Sequence, residues 1–447
     1  MRIAVIGLGK LGSPLAAVLA DTGHQVIGVD LNPAAVGAIN SGRAPVAEPD
    51  LQQRIESAGR RLRATTNFAE AIAETDISFV IVPTPTGPDG TFTNRYVVDA
   101  VRRIGAALRG GDHYHVVNIT STVMPGATGG EIRAALEQES GRVVGRNLGL
   151  TYNPEFIALG SVVRDLLHPD MLLIGQSDHR AGDVLEAVYR QTVGHDVPVQ
   201  RMNWVNAEIT KIAINTFVTT KISYANMLAE ICENLPDADV DMVTTALGKD
   251  SRIGGKYLKG ALGYGGPCFP RDNVAFAAMA RQLGAAADIA VATDAVNHRQ
   301  VDRVVRLVSR AASPGAAVAV LGLAYKPDTP VVEESQGVMI ARRLVEAGFE
   351  VIITDPWAMD GAAAVLGDTV VAISPAEAAV AAAEVVVIAT PARAFAEIAP
   401  DAFAEGGRRR VVVDCWRLVP ESVARIATVI RLGRSLTSLN ADAAASA

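Results

Sequence analysis

A cysteine that follows a run of glycines is a candidate nucleophile. Cys268 comes after three glycines in the segment Gly263–Asp272. Because glycine has no Cβ atom, such a segment lets the backbone approach a ligand closely and leaves a neighbouring thiol accessible. Asp272 follows four residues later and would share a face with Cys268 if a helix begins there. The alternative, a buried inert thiol, fits Cys232 and Cys415 better, because each lies in an apolar run.

A glycine motif near the N-terminus could hold the phosphates of a dinucleotide. Gly7, Gly9 and Gly12 follow an apolar run with the spacing Gly-x-Gly-x-x-Gly, and the next apolar run ends on Asp30. In this context the glycines allow a tight turn and bring a pyrophosphate close to a helix N-terminus. Asp30 would accept hydrogen bonds from an adenosine ribose and repel a 2′-phosphate. The motif therefore predicts NAD rather than NADP; a tight turn without a ligand is the alternative.

A thiol combined with an NAD site has a defined chemical use. The thiolate adds to an aldehyde to give a thiohemiacetal, whose carbon gives a hydride to NAD and becomes a thioester. Lys211 and Asn215 lie at positions i and i+4 of a predicted helix, where together they could stabilise an alkoxide or oxyanion. Taken alone, this pair fits a solvated helix face better.

The elements that would position these groups follow an alternating strand and helix pattern. In a doubly wound sheet, ligands bind at the carboxyl ends of the strands, so the polar segments that follow the apolar runs are expected to meet at one crevice. These pairs of run and segment are 77–82 with 83–87, 115–119 with 120–126, and 147–151 with 152–156.

A second, weaker copy of the same unit lies near the C-terminus. Its predicted strands are 317–321, 348–355, 384–390 and 410–414. The turn Gly322–Pro327 stands where the glycine motif would be, so a ligand other than the cofactor is expected there. We predict an α/β fold with two Rossmann-like doubly wound domains joined by a long central helix and a helical linker domain. The expected domains are an NAD-binding domain at 1–200, a central helical dimerisation domain carrying the cysteine loop at 201–300, and a C-terminal Rossmann-like domain at 313–435.

The central helix is predicted over Asn203–Asn234, which contains no proline and keeps helical apolar spacing. Such a helix would be about 45–50 Å long. A helix of this length usually buries part of its surface against another chain, so we expect a homodimer. The tail 440–447 is small and polar and is expected to be disordered.

Composition excludes several classes of protein. With 447 residues, the chain exceeds the roughly 250–300 at which one core stops growing, so two or three domains are expected. The net charge of -7 argues against a nucleic-acid surface. Three widely separated cysteines fit a reducing compartment, and seven histidines without HxxxH or HxH spacing predict no metal site.

No apolar run reaches the length of a membrane span, and Met1–Leu11 is expected to be part of the fold and not a signal peptide. A cytosolic enzyme is expected, with the basic runs 60–63 and 408–410 as solvated turns.

Assembled, these pieces resemble the UDP-glucose/GDP-mannose dehydrogenase family over roughly residues 1–420. Beyond the glycine motif, Lys211 and Asn215, the matching segments are Val82–Pro85, Ser121–Gly126, Asn153–Phe156, Arg252–Gly254, Tyr257–Lys259, the Cys268 segment and Gly322–Pro327. The resemblance implies two successive NAD reductions in one site, and it implies that the C-terminal domain at 313–435 is the nucleotide-sugar-binding domain. The best expectation for the reaction is UDP-glucose to UDP-glucuronate.

The resemblance also implies residue roles. The implied catalytic residues are Thr122, Glu155, Lys211, Asn215, Cys268 and Asp272. Thr122 and Asp272 would hold the water or substrate hydroxyl, Cys268 would capture the aldehyde, and Glu155 would activate the hydrolytic water, while Lys211 and Asn215 would support the developing negative charge. The implied cofactor-binding residues are Gly7, Leu8, Gly9, Lys10, Leu11, Gly12, Asp30, Pro83, Thr84 and Thr122. The implied substrate-binding residues are Glu155, Phe156, Lys211, Asn215, Arg252, Tyr257, Leu258, Lys259, Gly265, Tyr325 and Lys326. Arg252 is expected to reach the site of the neighbouring subunit.

Some positions depart from the family pattern. Leu159 stands where a second glutamate is usual, and Glu333 replaces an arginine expected to contact a phosphate. Trp416 replaces a late arginine, although Arg417 is adjacent, and Pro267 replaces the serine before the cysteine.

These departures leave alternatives open. One is the same chemistry on GDP-mannose, a UDP-N-acetylhexosamine or an unusual nucleotide sugar. Another is a two-electron alcohol or hydroxyacid dehydrogenase, which needs no cysteine. A third, less favoured, is a non-catalytic nucleotide-sugar binder.

Overall fold

The apolar runs near the N-terminus form the strands of one eight-stranded sheet. In the computed structural model, which describes residues 1–404 and 409–436, this sheet is the centre of a first unit, Met1–Ala213. Its strands are β1 (Arg2–Ile6), β2 (Gln25–Val29), β3 (Leu62–Thr65), β4 (Ile77–Val80), β5 (Val116–Ile119), β6 (Gly149–Tyr152), β7 (Leu172–Gln176) and β8 (Val199–Met202). The strand order is β3-β2-β1-β4-β5-β6-β7-β8, and every pair is parallel except β6 with β7. The first six strands thus have the doubly wound order, which reverses between β1 and β4.

Helices cover both faces of this sheet, and two apolar clusters fill the layers between helices and strands. The helices are α1 (Gly12–Asp21), α2 (Pro33–Asn40), α3 (Leu51–Ala58), α4 (Phe68–Ala73), α5 (Arg95–Leu108), α6 (Arg133–Ser140), α7 (Val162–Leu167) and α8 (His179–Val193). Strands buried on both faces read as nearly continuous apolar runs, as in residues 3–6 of β1. In β4 the one polar side chain, Ser78, is buried and hydrogen-bonds to His115 at 2.7 Å. The crossover helices therefore explain why these strands carry no polar alternation.

The predicted central helix is confirmed as α9 (Trp204–Glu233), which has 30 residues. At 1.5 Å per residue its length is about 45 Å. α9 begins in the first unit and ends in the second, which starts at Ile214. The prediction of three domains stays a prediction.

The second unit contains a six-stranded parallel sheet with the same strand order as the first six strands of the other sheet. Its strands are β9 (Ala317–Leu321), β10 (Glu350–Thr354), β11 (Val370–Ala372), β12 (Val385–Ile388), β13 (Val411–Asp414) and β14 (Thr428–Arg431). The order is β11-β10-β9-β12-β13-β14. The helices are α10 (Val240–Lys249), α11 (Phe269–Gln282), α12 (Asp288–Ala311), α13 (Gln336–Glu346), α14 (Met359–Leu366), α15 (Ala376–Ala382), α16 (Arg393–Ala396) and α17 (Glu421–Ala424). The prediction of two Rossmann-like domains joined by a long helix is confirmed.

The second sheet reproduces the glycine turn of the first with a different spacing. Gly322 has a φ of +101°, and a Cβ on Gly337 would lie 1.9 Å from the Gly322 carbonyl oxygen. Asp355, at the end of β10, accepts hydrogen bonds from the backbone N–H groups of Leu323 (2.7 Å) and Ala324 (3.1 Å). The turn between the two glycines is longer than in the first motif, which is why the sequence spacing did not reveal it.

The expectation of solvated turns is wrong for part of each basic run. In the run 60–63, Leu62 and Arg63 belong to β3, and Leu62 is buried. Arg410 does not lie in a solvated turn; it is buried and donates to the carbonyls of Ala383 (3.0 Å), Phe403 (3.0 Å) and Ala381 (2.6 Å). These main-chain carbonyls satisfy N–H groups of the guanidinium, which is why it can be buried here. Arg408 and the tail 440–447 lie outside the described residues.

Candidate active site

Each glycine of the N-terminal motif has its own physical requirement. Gly7 has a φ of +100°, and a Cβ there would lie 2.4 Å from the Ile81 carbonyl oxygen. A Cβ on Gly12 would lie 1.8 Å from the Gly7 carbonyl oxygen, so α1 packs directly on the turn. A Cβ on Gly9 would meet no atom within 4 Å. The internal packing therefore requires glycine at two positions, while the third leaves open space at the start of α1 for a pyrophosphate.

Asp30 closes this turn from the end of β2. Its carboxylate accepts hydrogen bonds from the backbone N–H groups of Leu8 (2.6 Å) and Asn32 (2.8 Å). An ionised carboxylate has about four acceptor positions, so these two bonds orient Asp30 and leave others for the hydroxyls of a ribose. The Leu8 side chain belongs to the apolar core, Leu11 packs against it, and Lys10 is exposed. Leu8 could thus contribute to a cofactor site through its backbone only.

Two loops follow β4 and β5, and Ser121 joins them. The Ser121 hydroxyl accepts from the Val82 N–H at 2.8 Å and donates to the Val82 carbonyl at 2.7 Å. Thr84 is buried, Pro83 is exposed and Thr122 is half-buried. Because Ser121 fixes the loop after β4, it positions the segment in which cofactor contacts are expected.

Glu208, on α9, holds the end of the second loop. Its fully buried carboxyl accepts from the backbone N–H groups of Gly126 (2.6 Å) and Thr128 (2.8 Å). Burial raises the pKa of Glu208, and the hydrogen bonds from Thr128 and Gly126 oppose that rise. Sequence reasoning missed this residue, although its place one turn before Lys211 on a helix was a usable signal.

Glu155 lies in a polar cluster after β6. Its Oε1 atom is 2.7 Å from the hydroxyl of Tyr189, which belongs to α8. Lys211 Nζ donates to the main-chain carbonyl of Glu155 at 2.6 Å and lies 4.6 Å from the centre of the Phe156 ring. Burial raises the pKa of Glu155, while the Tyr189 hydrogen bond and the Lys211 charge lower it. The structure thus brings together three of the predicted site residues and adds Tyr189.

Cys268 is the N-cap residue, directly before α11, in the second unit. Its carbonyl accepts the first helical hydrogen bond from the Asp272 N–H at 2.8 Å, and its side chain is exposed. The positive end of the helix dipole stabilises negative charge at such a position. Asp272 is 1% exposed and accepts from Asn215 Nδ2 at 2.6 Å and from Arg271 Nη2 at 3.1 Å. Asn215 and Asp272 are therefore brought together as predicted, with Arg271 as an additional cation.

Two interpretations from the sequence can now be decided. Lys211 is 7% exposed and Asn215 is 8% exposed, so the solvated helix face does not describe them. Cys232 and Cys415 are buried, as predicted, and burial raises the pKa of both thiols. All three cysteines lie among the described residues, and none of them forms a disulfide within the chain.

The loop 251–262 carries four of the predicted substrate residues. Tyr257 is exposed, has a φ of +64°, and its ring meets Phe269 edge to face at 6.3 Å. A bulky residue with positive φ is strained and is typical of functional loops. Leu258 is buried and Lys259 is exposed. The Arg252 side chain is 86% exposed and pairs with Asp250 at 2.6 Å, so the structure does not bring it to the other predicted residues.

Two residues that the sequence did not identify as site residues hold this loop. Asn226 on α9 accepts from the Ala261 N–H (2.8 Å) and donates to the Leu262 carbonyl (2.9 Å). Arg417 donates to the Gly260 carbonyl at 2.7 Å and pairs with Asp241. The Arg417 side chain is 3% exposed, and its guanidinium holds the loop through the hydrogen bond to the Gly260 carbonyl.

The glycines before Cys268 are required by internal packing. A Cβ on Gly265 would lie 2.2 Å from the Glu334 carbonyl oxygen, and one on Gly266 would lie 2.5 Å from the Tyr325 ring. The Gly266 N–H donates to the Glu333 carbonyl at 3.1 Å. Glu333, which departs from the family pattern, therefore contacts the cysteine segment through its main chain. Lys326 Nζ lies 5.9 Å from the centre of the half-buried Tyr325 ring. Substrate contacts from Gly265, Tyr325 and Lys326 stay predictions.

Residues 1–404 and 409–436 were also searched for other kinds of site. Within those ranges, no group of three or more His, Cys, Asp or Glu side chains is arranged to hold a metal ion. Within the same ranges, the helices include no segment with the length and hydropathy needed for a bilayer span.

Three consecutive sequence models of one family match the chain. The NAD-binding domain of the UDP-glucose/GDP-mannose dehydrogenase family matches residues 1–193, the central domain 205–299, and the UDP-binding domain 319–421. The UDP-glucose 6-dehydrogenase of Haloferax volcanii is 37% identical over 94% of this chain and 97% of its own length. The GDP-mannose 6-dehydrogenase of Pseudomonas putida is 33% identical over 79% of this chain and 81% of its own. The solved structure of a UDP-glucose dehydrogenase from Pyrobaculum islandicum is 36% identical, covers 97% of both chains and has a TM-score of 0.87.

Proposed function

The chain belongs to the UDP-glucose/GDP-mannose dehydrogenase family, and we propose that it oxidises the C6 primary alcohol of UDP-glucose to the carboxylate of UDP-glucuronate. The observation that carries this proposal is the 37% identity, over almost the full length of both chains, with a UDP-glucose 6-dehydrogenase. Oxidation of an alcohol to a carboxylate removes four electrons and adds one oxygen atom from water. The cofactor supplies the oxidant, because two NAD molecules in succession each accept one hydride.

In the first oxidation, the substrate hydroxyl must lose its proton while the carbon loses a hydride. Asp272 and Thr122 would hold that hydroxyl, directly or through water. The buried Asp272 carboxylate is oriented by Asn215 and Arg271, which supports a role in positioning a polar hydrogen. Lys211 would stabilise the alkoxide, since an ammonium in a desolvated site favours negative charge on oxygen.

In the second oxidation, Cys268 would form a covalent bond with the aldehyde. The thiolate sulfur adds to the carbonyl carbon, and the carbonyl oxygen becomes the oxyanion that Lys211 and Asn215 would stabilise. Loss of hydride from this carbon leaves a thioester on Cys268. Glu155 would then take a proton from water, whose oxygen attacks the thioester carbon while the sulfur leaves as thiolate. The exposed position of Cys268 at the start of α11 supports this role.

Substrate binding would use the loop 251–262 and the turn after β9. Backbone groups of Tyr257–Ala261 and Gly265 would contact the sugar and diphosphate, and Lys326 would neutralise part of the negative charge. Because the chain carries the family's UDP-binding domain at 319–421, the nucleotide would bind to the second sheet. A reactive thiol must stay reduced, so we propose a cytoplasmic setting.

We further propose a homodimer formed through α9. Phe217, Tyr224, Met227 and Ile231 are exposed and are spaced by seven, three and four residues, which places them along one side of the helix. An apolar side of this length is costly in water and suits the same side of a second copy. Arg252 would then reach the site of the neighbouring subunit, for which its exposed side chain is suited.

A panel of nucleotide sugars tests the function. We expect the purified protein to reduce NAD with UDP-glucose faster than with GDP-mannose or a UDP-N-acetylhexosamine, and to form two NADH per sugar consumed. A ratio of one would indicate a two-electron dehydrogenase. Thermal stabilisation by the nucleotide sugar without any NADH would indicate a binding protein. Preference for GDP-mannose would keep the chemistry and change the substrate, as the second relative suggests.

A further inference from the structure

Two oxygen acceptors face one hydroxyl beside Glu155. The Tyr189 oxygen lies 2.5 Å from Asn153 Oδ1 and 2.7 Å from Glu155 Oε1. Both distances are those of direct hydrogen bonds, and Tyr189 and Asn153 are each 2% exposed. A phenol carries one proton and can donate only one hydrogen bond at a time.

The orientation of the Asn153 amide is fixed by a third group. Asn153 Nδ2 donates to the main-chain carbonyl of Leu173 at 2.9 Å. A carbonyl can only accept, so the amide nitrogen must face Leu173 and the amide oxygen must face Tyr189. Asn153 Oδ1 is thus an acceptor that competes with Glu155 for the Tyr189 proton.

We propose that Asn153 and Glu155 compete for the single proton of Tyr189, and that Tyr189 is a positioning residue through which Asn153 favours the protonated form of Glu155. This inference rests on the proposed function for its consequence in catalysis, since Glu155 is there the base that activates water. The competition itself depends only on the three side chains.

The two protonation states of Glu155 use the hydroxyl differently. When Glu155 is ionised, Tyr189 donates to its carboxylate, and the buried Asn153 oxygen has no donor from Tyr189. When Glu155 is protonated, its own O–H donates to Tyr189, and Tyr189 donates to Asn153. A buried acceptor without a donor costs free energy, so Asn153 disfavours the ionised state. When Glu155 gains the proton of the attacking water, the Tyr189 hydroxyl stops donating to Glu155 and donates to Asn153. Tyr189 keeps its one proton in both states.

The surroundings of Glu155 act in both directions. Among the described residues, the ionisable groups that act on the Glu155 carboxyl are Tyr189 on α8 and Lys211 on α9. The neighbouring strand β7 contributes only the uncharged Leu173 carbonyl, which accepts from Asn153. Burial raises the pKa of Glu155. Burial and the neighbouring Glu155 also raise the pKa of Tyr189 well above its ordinary value, so Tyr189 stays a neutral phenol. A neutral hydroxyl between two acceptors is the condition that the competition requires.

A double-mutant cycle tests the competition without reference to activity. Asn153→Leu keeps the volume and removes the acceptor, and Tyr189→Phe removes the shared proton. In the full-length protein with 13C-labelled glutamate side chains, the Glu155 carboxyl resonance is identified by its loss in Glu155→Gln. We expect Asn153→Leu to lower the pKa of Glu155 by about one unit, a tenfold change in proton affinity. We expect the same substitution to have no effect on this pKa in the Tyr189→Phe background.

Two outcomes of the double-mutant cycle would contradict the inference. An equal shift in both backgrounds would mean that Asn153 acts on Glu155 without Tyr189, and no shift in either would mean that there is no competition. If Asn153→Leu does not fold, Asn153→Ala removes the same acceptor. The pH dependence of UDP-glucuronate formation separates this inference from the proposed function. If the pKa moves and the low-pH limb of the activity does not, the competition stands and Glu155 is not the base of the reaction.

Discussion

Replacing Arg417 by methionine tests whether a buried guanidinium holds the loop in which we expect the sugar to bind. Arg417 donates to the carbonyls of Gly260 and Leu432, each at 2.7 Å, and to both carboxylate oxygens of Asp241 at 2.6 and 2.9 Å. Its side chain is 3% exposed. Methionine fills a similar volume and forms none of these bonds. The substitution therefore removes the polar contacts and keeps most of the packing.

The expected loss of stability follows from the groups left behind. The Asp241 side chain is 40% exposed, so water replaces the guanidinium there. The Gly260 and Leu432 carbonyls each lose a donor, and an unsatisfied buried acceptor costs about 1–3 kcal/mol. With one such cost for each of the two carbonyls, we expect Arg417→Met to lower the free energy of unfolding by about 2–6 kcal/mol.

The assay compares two arginine-to-methionine substitutions in the same unit. Arg393 is 90% exposed and pairs with Glu397 one helical turn away, so Arg393→Met should cause no measurable loss. Urea denaturation followed by tryptophan fluorescence suits the comparison, because Trp416 is adjacent to Arg417. We also expect Arg417→Met to raise KM for the nucleotide sugar about tenfold, a change of about 1.4 kcal/mol, and to leave KM for NAD unchanged. Equal stability of the two variants, or an unchanged KM for the sugar, would refute the reasoning.

Three further predictions concern the cofactor, the dimer and the second unit. Asp30→Asn removes the negative charge that faces the ribose, so the preference for NAD over NADP should fall about tenfold in kcat/KM; an unchanged preference would exclude Asp30 from cofactor selection. Phe217→Asp places a charge on the exposed apolar side of α9 and should convert a dimer to a monomer in light scattering, whereas a monomeric unmodified protein would contradict the dimer. Arg303→Met leaves the buried Glu233 carboxylate without its cation and should lower the free energy of unfolding by about 3–5 kcal/mol in urea denaturation; a loss below 1 kcal/mol would mean that the pair contributes little.

Sequence reasoning predicted the features that depend on local pattern. The turn at Gly7, Gly9 and Gly12 was predictable because strand, glycines and helix follow one another directly. The exposure of Cys268 and the burial of Cys232 and Cys415 followed from whether glycines or apolar residues surround each thiol. The length of α9 followed from an uninterrupted helical spacing without proline.

Sequence reasoning missed the side chains whose hydrogen-bond partners are distant in sequence. Ser121 and Val82 are 39 positions apart, Tyr189 and Glu155 are 34 apart, and Arg417 and Gly260 are 157 apart. Periodicity cannot predict such contacts, because the pattern of a strand or helix indicates which of its faces is buried and does not indicate which polar group packs against that face. Arg410 was misjudged for the same reason, since its charge suggested solvent and two of its three carbonyl partners, Ala383 and Ala381, lie 27 and 29 positions away.

Trapping of the thioester is the most direct test of the covalent role of Cys268. Glu155→Gln should still form the thioester but should hydrolyse it slowly, so addition of UDP-glucose and NAD should give two NADH per subunit and then stop. Acid quenching and peptide mass analysis should then find the acyl group of the nucleotide sugar on the peptide that contains Cys268, and Cys268→Ala should show no such adduct. Continued turnover with an unmodified Cys268 peptide, or an adduct on another residue, would contradict the account.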